Sequence, residues 1–392
     1  MRERSPGHWE LRAFTGRDPL TGKPTQKTQS FRGGQRAAAK ALGILVAGID
    51  SGKVSRSNRT VGQLLDAWLE AAKTKQTPRT LYENERKIEK RIRPALGHVR
   101  LDQLDASMLD RAYREWEGKV SPATVHKYHC ILSAALRQAV KWDWIDSAPT
   151  AKASPSTVVR SEMMVPTPKQ LSSLVRAADE SDGVMAAAIA LAALTGARRG
   201  ELVALRWSDI DLDDGSVRIA RSLTVARGER HTGPTKNHAI RVLALDPICI
   251  EVLRRRWAAM ADLSIQAESP LVEDPYVLSY NANGATPAPP DGLTHRFHKL
   301  CETQKNKALE SLQKVTPEAT VADLAPADRW PFRFHDLRHF SVTTLIAAGV
   351  DVRTVATRHG HAKATMTLDR YAHALPERDR EAAGVLGAAL TL

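Results

Sequence analysis

The chain has few cysteines and no long apolar run. Among its 392 residues are three cysteines, Cys130, Cys249 and Cys301, which lie far apart and match neither a disulfide framework nor a zinc spacing, so a reducing compartment is expected. The apolar segment 183–196 (GVMAAAIALAALTG) is too short to cross a bilayer, and the start (MRERSPGHWELRAF) lacks the apolar run of a signal peptide. We therefore expect a cytoplasmic protein without a membrane segment.

Acidic residues are scarce relative to basic ones in the first 160 residues. Residues 1–57 hold 11 Lys and Arg against 4 Asp and Glu, residues 58–160 hold 18 against 12, and residues 161–392 hold 28 of each. The whole formal net charge of +13 thus lies in the first two segments. A basic front joined to a neutral remainder indicates a polyanion-binding part next to a part with another task. From charge alone, the alternative is a basic protein with no particular partner.

The front of the chain predicts a small domain of strands and one helix. Residues 8–14 and 25–31 alternate like strands around the turn signal DPLTGKP at 18–24. Residues 35–49 form an Ala-rich helical pattern, and the polar segment 51–59 (SGKVSRSNR) is a predicted linker.

A second, all-helical domain of about four helices is predicted after this linker. Thr60 is a predicted N-cap, and the apolar residues after it have helical spacing: Val61, Leu64, Leu65, Trp68 and Leu69. A charged amphipathic helix is predicted over Pro78–Arg93, ended by Pro94 and Gly97, and Ser121-Pro122 opens another. The Ser- and Pro-rich stretch 152–166 is the predicted interdomain linker.

The third block opens with Thr167-Pro168-Lys169-Gln170, a capping box with proline at the first helical position. Helical patterns continue to about Leu205 and return from His335 to about Leu375. Short strands are predicted at three places between them: Ser216–Arg221, Ala239–Leu245 and Tyr276–Tyr280. The Pro-, Gly- and charge-rich stretch 281–331 carries no clear pattern.

Three short segments in this block carry groups suited to chemistry. In Thr195–Leu202 (TGARRGEL), Gly196 would end one helix in a left-handed turn and Arg198 would project from the start of the next, a good seat for a phosphate. The alternative is a solvated arginine paired with Glu201.

In the second segment, HDLRH, a helix would place His335 and Arg338 on one face, which suits an anionic substrate. His335 and His339 also have the i, i+4 spacing of a zinc site. The positive charge of Arg338 and the lack of a carboxylate in the position of a metalloprotease base disfavour zinc.

The third segment is His359-Gly360-His361, followed ten residues after His361 by Tyr371. Taken alone, a tyrosine on a helix is more often a core residue than a nucleophile.

Together the order and spacing of these segments resemble the tyrosine recombinases, the family that includes lambda-like phage integrases. The family pattern is T-G-x-R-x-x-E, a β-hairpin lysine, H-x-x-R, G-H and then tyrosine. The resemblance implies a catalytic set carried over position by position: Arg198, Lys236, His335, Arg338, His361 and the nucleophile Tyr371, with Glu201 in support. Lys236 lies between two predicted strands and is the only lysine between Lys169 and Lys299. One departure is His359, where the family usually has leucine; the alternatives are a partly exposed histidine or one that tunes the site.

The resemblance also implies a fold that is mainly α with small β elements. The expected domains are an arm-type DNA-binding domain at 1–57 (three strands and a helix), a helical core-binding, SAM-like domain at 58–152, and the catalytic domain at 165–392. The front match rests on HWELRAF, GRDPLTGKP and SFRGGQRAA and is less specific than the catalytic one.

The implied function is site-specific integration, and with a partner excision, of phage or mobile-element DNA in the cytoplasm of a bacterial host. Double-stranded DNA with core-type and arm-type sites, a homotetramer, and an excisionase or host DNA-bending factor are the expected partners. No metal or cofactor is expected, because no carboxylate cluster resembles a two-metal site. The alternatives are a type IB topoisomerase or telomere resolvase, which share the tyrosine chemistry, and a non-catalytic DNA-binding regulator.

Overall fold

The computed structural model describes residues 1–17, 24–50, 59–158, 164–235, 239–361 and 365. The chain divides into two compact units, Met1–Arg160 and Ser161–Leu392. Their boundary coincides with the shift from basic to neutral composition. Helices predominate and the sheets are small, so the predicted fold class is confirmed.

The chain begins with a three-stranded antiparallel sheet of β1 (Arg2–Ser5), β2 (His8–Arg17) and β3 (Pro24–Arg32). Helix α1 (Gln35–Asp50) packs on it, and its apolar face meets the sheet in a small core of Leu11, Ala13, Ala38 and Leu45. The two predicted strands and the predicted helix are confirmed. Residues 18–23 of the predicted turn and residues 51–58 of the predicted linker lie outside the described residues.

The helical part of the first unit contains α2 (Val61–Ala72), α3 (Pro78–Lys87), α4 (Arg93–Leu96), α5 (Ala106–Glu117) and α6 (Pro122–Lys141). Thr60 is the N-cap of α2, as predicted, and the structure adds a reciprocal capping box with Gln63. The apolar faces of these helices enclose a core of their own, with these large side chains fully buried: Leu64, Leu65, Ile88, Ile92, Leu109, Tyr113, Trp116 and Leu132.

Pro94 does not end the helix in which it lies, contrary to the sequence prediction. A π-helical turn, Ile88–Ile92, connects α3 to α4, and Pro94 sits in the first turn of α4. Proline cannot donate a backbone hydrogen bond to the preceding turn, so the chain widens there and the helix resumes behind it. Ile88 and Ile92 remain fully buried, which shows that packing sustains this turn.

The second unit is built around α8 (Gly183–Thr195), which is apolar on all sides and almost wholly buried. Three helices pack against it: α7 (Pro168–Asp179), α10 (Pro247–Gln266) and α12 (Asp336–Ala347). The remaining helices of this unit in the described residues are α9 (Arg199–Leu202), α11 (Pro290–Gln313) and α13 (Val352–His359). The capping box predicted for Thr167 and Gln170 opens α7.

Two small antiparallel sheets follow α9. One has the order β4 (Ile210–Asp211), β5 (Ser216–Ile219), β8 (Arg241–Ala244), and the other pairs β6 (Arg221–Ala226) with β7 (Glu229–Pro234).

The strand predicted at Tyr276–Tyr280 is wrong. Tyr276 forms one isolated bridge with Arg206, and the backbone of Val277 and Leu278 bonds to loop residues instead of a strand. The stretch without a clear sequence pattern contains α11 and two short 3₁₀ turns, Val321–Asp323 and Pro326–Arg329. Among the described residues, no helix combines the length and apolarity needed to cross a membrane.

Candidate active site

The end of α8 places Arg198 at the start of the next helix. Gly196 takes a left-handed conformation (φ +63°) at the C-cap of α8, and Arg198 is the extended N-cap of α9. The predicted turn is therefore confirmed. Helix α9 is only four residues long and contributes little dipole, so the guanidinium of Arg198, whose side chain is 26% exposed, matters more for an anion at this turn than the helix itself.

Glu201 lies between two arginines. Its carboxylate accepts from the Arg198 backbone N–H at 2.9 Å and from Arg198 Nη1 at 3.0 Å, while Arg241 Nη2 donates to it at 2.7 Å. Burial alone would raise the pKa of Glu201, but hydrogen bonds and charge from Arg241 and then Arg198 lower it below the ordinary value. Glu201 is therefore a carboxylate that holds two guanidinium groups, one buried and one reaching the surface.

The two arginines of the motif meet at the same pair of turns. Arg338, buried on α12, donates from Nη1 to the Gly196 carbonyl and from Nη2 to the His359 carbonyl at 2.6 Å. Arg198 Nη2 donates to the Gly360 carbonyl at 3.1 Å. Residues more than 140 positions apart in sequence are thereby joined in one cluster.

His359 is buried at the end of α13, where Gly360 takes a left-handed C-cap conformation (φ +60°). The His359 ring packs against Gly196, and a Cβ atom on Gly196 would overlap it. Nδ1 faces the Val355 carbonyl at 2.8 Å, while Nε2 is buried without a hydrogen-bond partner among the described residues. Of the two alternatives for this position, partial exposure is wrong. Burial, opposed by the Val355 contact and reinforced by the charge of Arg338, lowers the pKa of His359 to about 3.

The two histidines of the family pattern differ in environment. His361 is half-buried directly after the Gly360 turn, with its ring centroid 6.0 Å from that of His359. His335 is exposed at the N-cap of α12, one turn before Arg338, and its ring lies 4.9 Å from that of the buried His339. In the part of the chain that the structure describes, no three His, Cys, Asp or Glu side chains are placed to hold a metal ion.

Lys236 and Tyr371 lie outside the described residues, as does the tail after Thr365. The described flanks of the lysine segment are joined at its base by a hydrogen bond from Thr235 Oγ1 to the Ala239 carbonyl, at 2.9 Å. The roles of Lys236 and Tyr371 remain predictions from the motif.

Sequence reasoning missed two arginines that hold the cluster. Arg241 is 7% exposed and pairs with Glu201. Arg358 on α13 donates to the carbonyls of Leu194 and Ala244, at 3.0 and 3.1 Å, and so ties three elements together. A signal for Arg241 was present, because it occupies an inward position of the alternating strand predicted at 239–245 and a buried charge needs a partner.

Comparison with known sequences gives this cluster its context. Residues 165–378 match the phage integrase family, and residues 60–117 match the phage integrase N-terminal SAM-like domain. The first match covers more than half of the chain. The protein belongs to the phage integrase family, as its motifs predict.

Known relatives agree with this assignment. The chain is 28% identical to the ICEBs1 integrase of Bacillus subtilis over 197 residues, which are 50% of this chain and 46% of that relative. It is 26% identical to an integrase of Streptomyces ambofaciens over 373 residues, 93% of this chain and 88% of that protein.

A solved structure shares the fold. The Tn1549 transposon integrase in complex with a circular intermediate DNA superposes with a TM-score of 0.66 and 22% identity, over 83% of this chain and 99% of the other.

Proposed function

We propose that this protein is a site-specific DNA recombinase that cuts and rejoins DNA through a 3′-phosphotyrosine at Tyr371, and that it integrates phage or mobile-element DNA. The observation that carries the proposal is the convergence of Arg198 and Arg338 on the turns of Gly196 and Gly360, at the positions of the family motif. Family membership favours recombination over the topoisomerase and regulator alternatives.

The proposed reaction consists of two transesterifications. The Tyr371 oxygen attacks the scissile phosphorus, the bond to the 5′-oxygen breaks, and Lys236 supplies the proton of the departing 5′-hydroxyl. A 5′-hydroxyl of the partner duplex then attacks the phosphotyrosine and releases Tyr371. One phosphodiester replaces another, so the strand exchange requires no nucleotide hydrolysis.

The arginines stabilise the negative charge that grows on the phosphate oxygens. A donor of this kind is typically worth about 3–4 kcal/mol of transition-state stabilisation. About a quarter of the Arg198 side chain is exposed to solvent. Arg338 is buried and donates to carbonyls of both turns. Arg198 is therefore the more direct phosphate ligand in this geometry.

His335 and His361 handle the proton of the nucleophile or bind the phosphate. A free tyrosine has a pKa of about 10 and is mostly protonated at neutral pH, so its oxygen needs a proton acceptor or a cationic neighbour. Glu201 orients Arg198 and takes no part in proton transfer, because its carboxylate is buried and already engaged by two arginines.

The proposed substrate is double-stranded DNA, and the proposed active form is a homotetramer on two duplexes in a bacterial cytoplasm. The domains proposed for this task are an arm-binding domain at 1–57, a core-binding domain at 58–152 and the catalytic domain at 165–392. An excisionase or host DNA-bending factor would set the direction of the reaction. The basic first unit and the neutral second unit fit this division between DNA capture and chemistry.

The nucleophile is tested by Tyr371→Phe. The variant should bind attachment-site DNA as the wild type does but form no covalent adduct, because the phenol oxygen that attacks phosphorus is missing. The measurement is a denaturing gel after incubation with a nicked suicide substrate, and Tyr280→Phe serves as the control because that tyrosine is held by Asp182 away from the cluster. An undiminished adduct in Tyr371→Phe would remove that residue from the role.

A further inference from the structure

We infer that Arg241 is a positioning residue of the strand-transfer reaction, which holds Glu201 and the Gly360 turn so that Arg198 presents its guanidinium to the scissile phosphate. The inference rests on the proposed function and assigns a role to a residue outside the family motif. Arg241 is the first residue of β8 and follows the segment of Lys236 by five positions.

Arg241 and Arg198 share one carboxylate. Arg241 Nη2 and Nη1 lie 2.7 and 3.5 Å from the two oxygens of Glu201, and the same two oxygens accept from the Arg198 side chain and backbone. Because Glu201 divides its charge between two guanidinium groups, Arg198 keeps part of its positive charge for an incoming anion. Without Arg241, the carboxylate would neutralise Arg198 alone.

Arg241 also packs against the Gly360 turn, which Arg198 contacts through a hydrogen bond. A Cβ atom on Gly360 would lie 2.6 Å from Arg241 Nη1, so the guanidinium lies against that glycine. Arg198 donates to the carbonyl of the same glycine. Arg198, Glu201, Arg241 and Gly360 thus form a closed ring of contacts, directly before His361.

Stability alone is a poor reason for this arrangement. Removing an ion pair from water costs much of what the pair gains, so buried pairs often add little to stability. Arg241 is 7% exposed, and its Nε atom is buried without a hydrogen-bond partner among the described residues. The contact instead fixes the geometry of a cationic group at the candidate site, where small displacements slow reactions strongly.

The test compares Arg241→Gln and Arg241→Lys with the wild type in single-turnover cleavage of a suicide substrate at saturating DNA. We expect Arg241→Gln to lower the cleavage rate roughly 100-fold, and Arg241→Lys, which keeps the charge without the two-pronged geometry, to recover about tenfold of that loss. DNA affinity should change less than about threefold, because the Arg241 guanidinium is engaged by Glu201 and is not one of the proposed phosphate ligands.

The matched control is Arg218→Gln, on the neighbouring strand β5. Arg218 lies opposite Val242 in the same sheet, but its side chain is half-exposed and it pairs with Asp209. Its substitution should leave the cleavage rate unchanged.

Two further measurements separate positioning from a purely structural role. In a Glu201→Gln background, Arg241→Gln should add little further loss, because the carboxylate that both arginines share is gone. A substrate with a 5′-bridging sulfur, whose thiolate leaves without a proton, should rescue Lys236→Ala but not Arg241→Gln.

The inference is overturned if Arg241→Gln cleaves as the wild type does, or if the sulfur substrate restores its cleavage rate. It is also overturned if the loss of rate comes with a comparable fold-loss of DNA affinity and a large drop in melting temperature. A failure of the proposed function has a different signature: the wild-type protein itself would form no tyrosine adduct with any attachment-site DNA.

Discussion

At the scale of single residues, His359 departs from the family pattern in a way that costs stability. Its ring is fully buried, and its Nε2 acceptor has no hydrogen-bond partner among the described residues. An unsatisfied buried acceptor typically costs about 1–3 kcal/mol. The neutral ring, with Nδ1–H donating to the Val355 carbonyl, is the form that this pocket accepts.

This burial makes stability depend on pH. The folded pKa of His359 is about 3 and its ordinary value is 6.5, so between these values the unfolded chain binds more protons than the folded one. The stability that depends on a neutral His359 is therefore fully present above about pH 6.5 and is lost as the pH falls toward 3. At pH 5 the loss relative to pH 8 amounts to about 2 kcal/mol.

His359→Leu should remove this dependence. We expect the difference in folding stability between variant and wild type to move by about 2 kcal/mol in favour of the variant when the pH falls from 8 to 5, because leucine has no proton to bind. Calorimetric melts of both proteins at the two pH values measure the difference, and His298→Gln, at an exposed histidine, is the control. Equal pH effects on variant and wild type would show that His359 is not a neutral buried ring.

At the scale of elements, the site depends on two helices that end in left-handed glycines. Gly196 closes α8 and Gly360 closes α13, and the two turns contact each other through His359 and Arg338. The two helix ends face each other, so carbonyls at these ends accept hydrogen bonds from the motif arginines Arg198 and Arg338.

Gly196→Ala tests the contact between the two turns. Alanine at this position must adopt a positive φ, and its Cβ atom overlaps the His359 ring. The backbone strain and the overlap together should destabilise the second unit by about 2–4 kcal/mol. Gly183→Ala, at the other end of α8 with open space around it, should be nearly neutral.

The steric part of this effect has its own check. In a His359→Ala background the cost of Gly196→Ala should shrink, while the backbone strain remains. Additive losses measured by urea denaturation would contradict a direct contact between the two turns.

At the scale of the whole molecule, charge and structure divide the chain at the same point. Met1–Arg160 carries the entire net positive charge, and Ser161–Leu392 is neutral and holds the arginine cluster. Under the proposed function, the basic unit supplies a long-range attraction to DNA that weakens steeply as salt rises, and the neutral unit holds the proposed active site.

Deletion of residues 1–57 should separate the two tasks. We expect cleavage at a core site to persist and integration to be abolished, because the proposed arm-binding domain is lost; adduct formation and a two-plasmid integration assay measure the two effects.

The control for this deletion is Lys27→Met. The deletion also removes the 2.6 Å ion pair between Lys27 and Asp102, and the point variant removes that pair while the rest of the front domain stays in place. Integration by the truncated protein at the wild-type level would mean that the front domain has another function.

Local signals explain what could be predicted from the sequence. The N-cap at Thr60, the capping box at Thr167, the alternation of the strands and the left-handed turn at Gly196 each depend on a few neighbouring residues, so they were predicted correctly. The strand predicted at Tyr276–Tyr280 was wrong because Val277 and Leu278 are buried in the core while their backbone bonds to loop residues, and burial alone does not distinguish a strand from a packed loop.

The sequence by itself determined the family and the motif residues, because both are encoded as residue types at fixed spacing. Only the tertiary structure decided that Arg241 shares Glu201 with Arg198 and that His359 is buried against Gly196. These pairs bring together residues 40 or more positions apart, and which distant groups meet depends on how the helices and sheets pack, which no local pattern records.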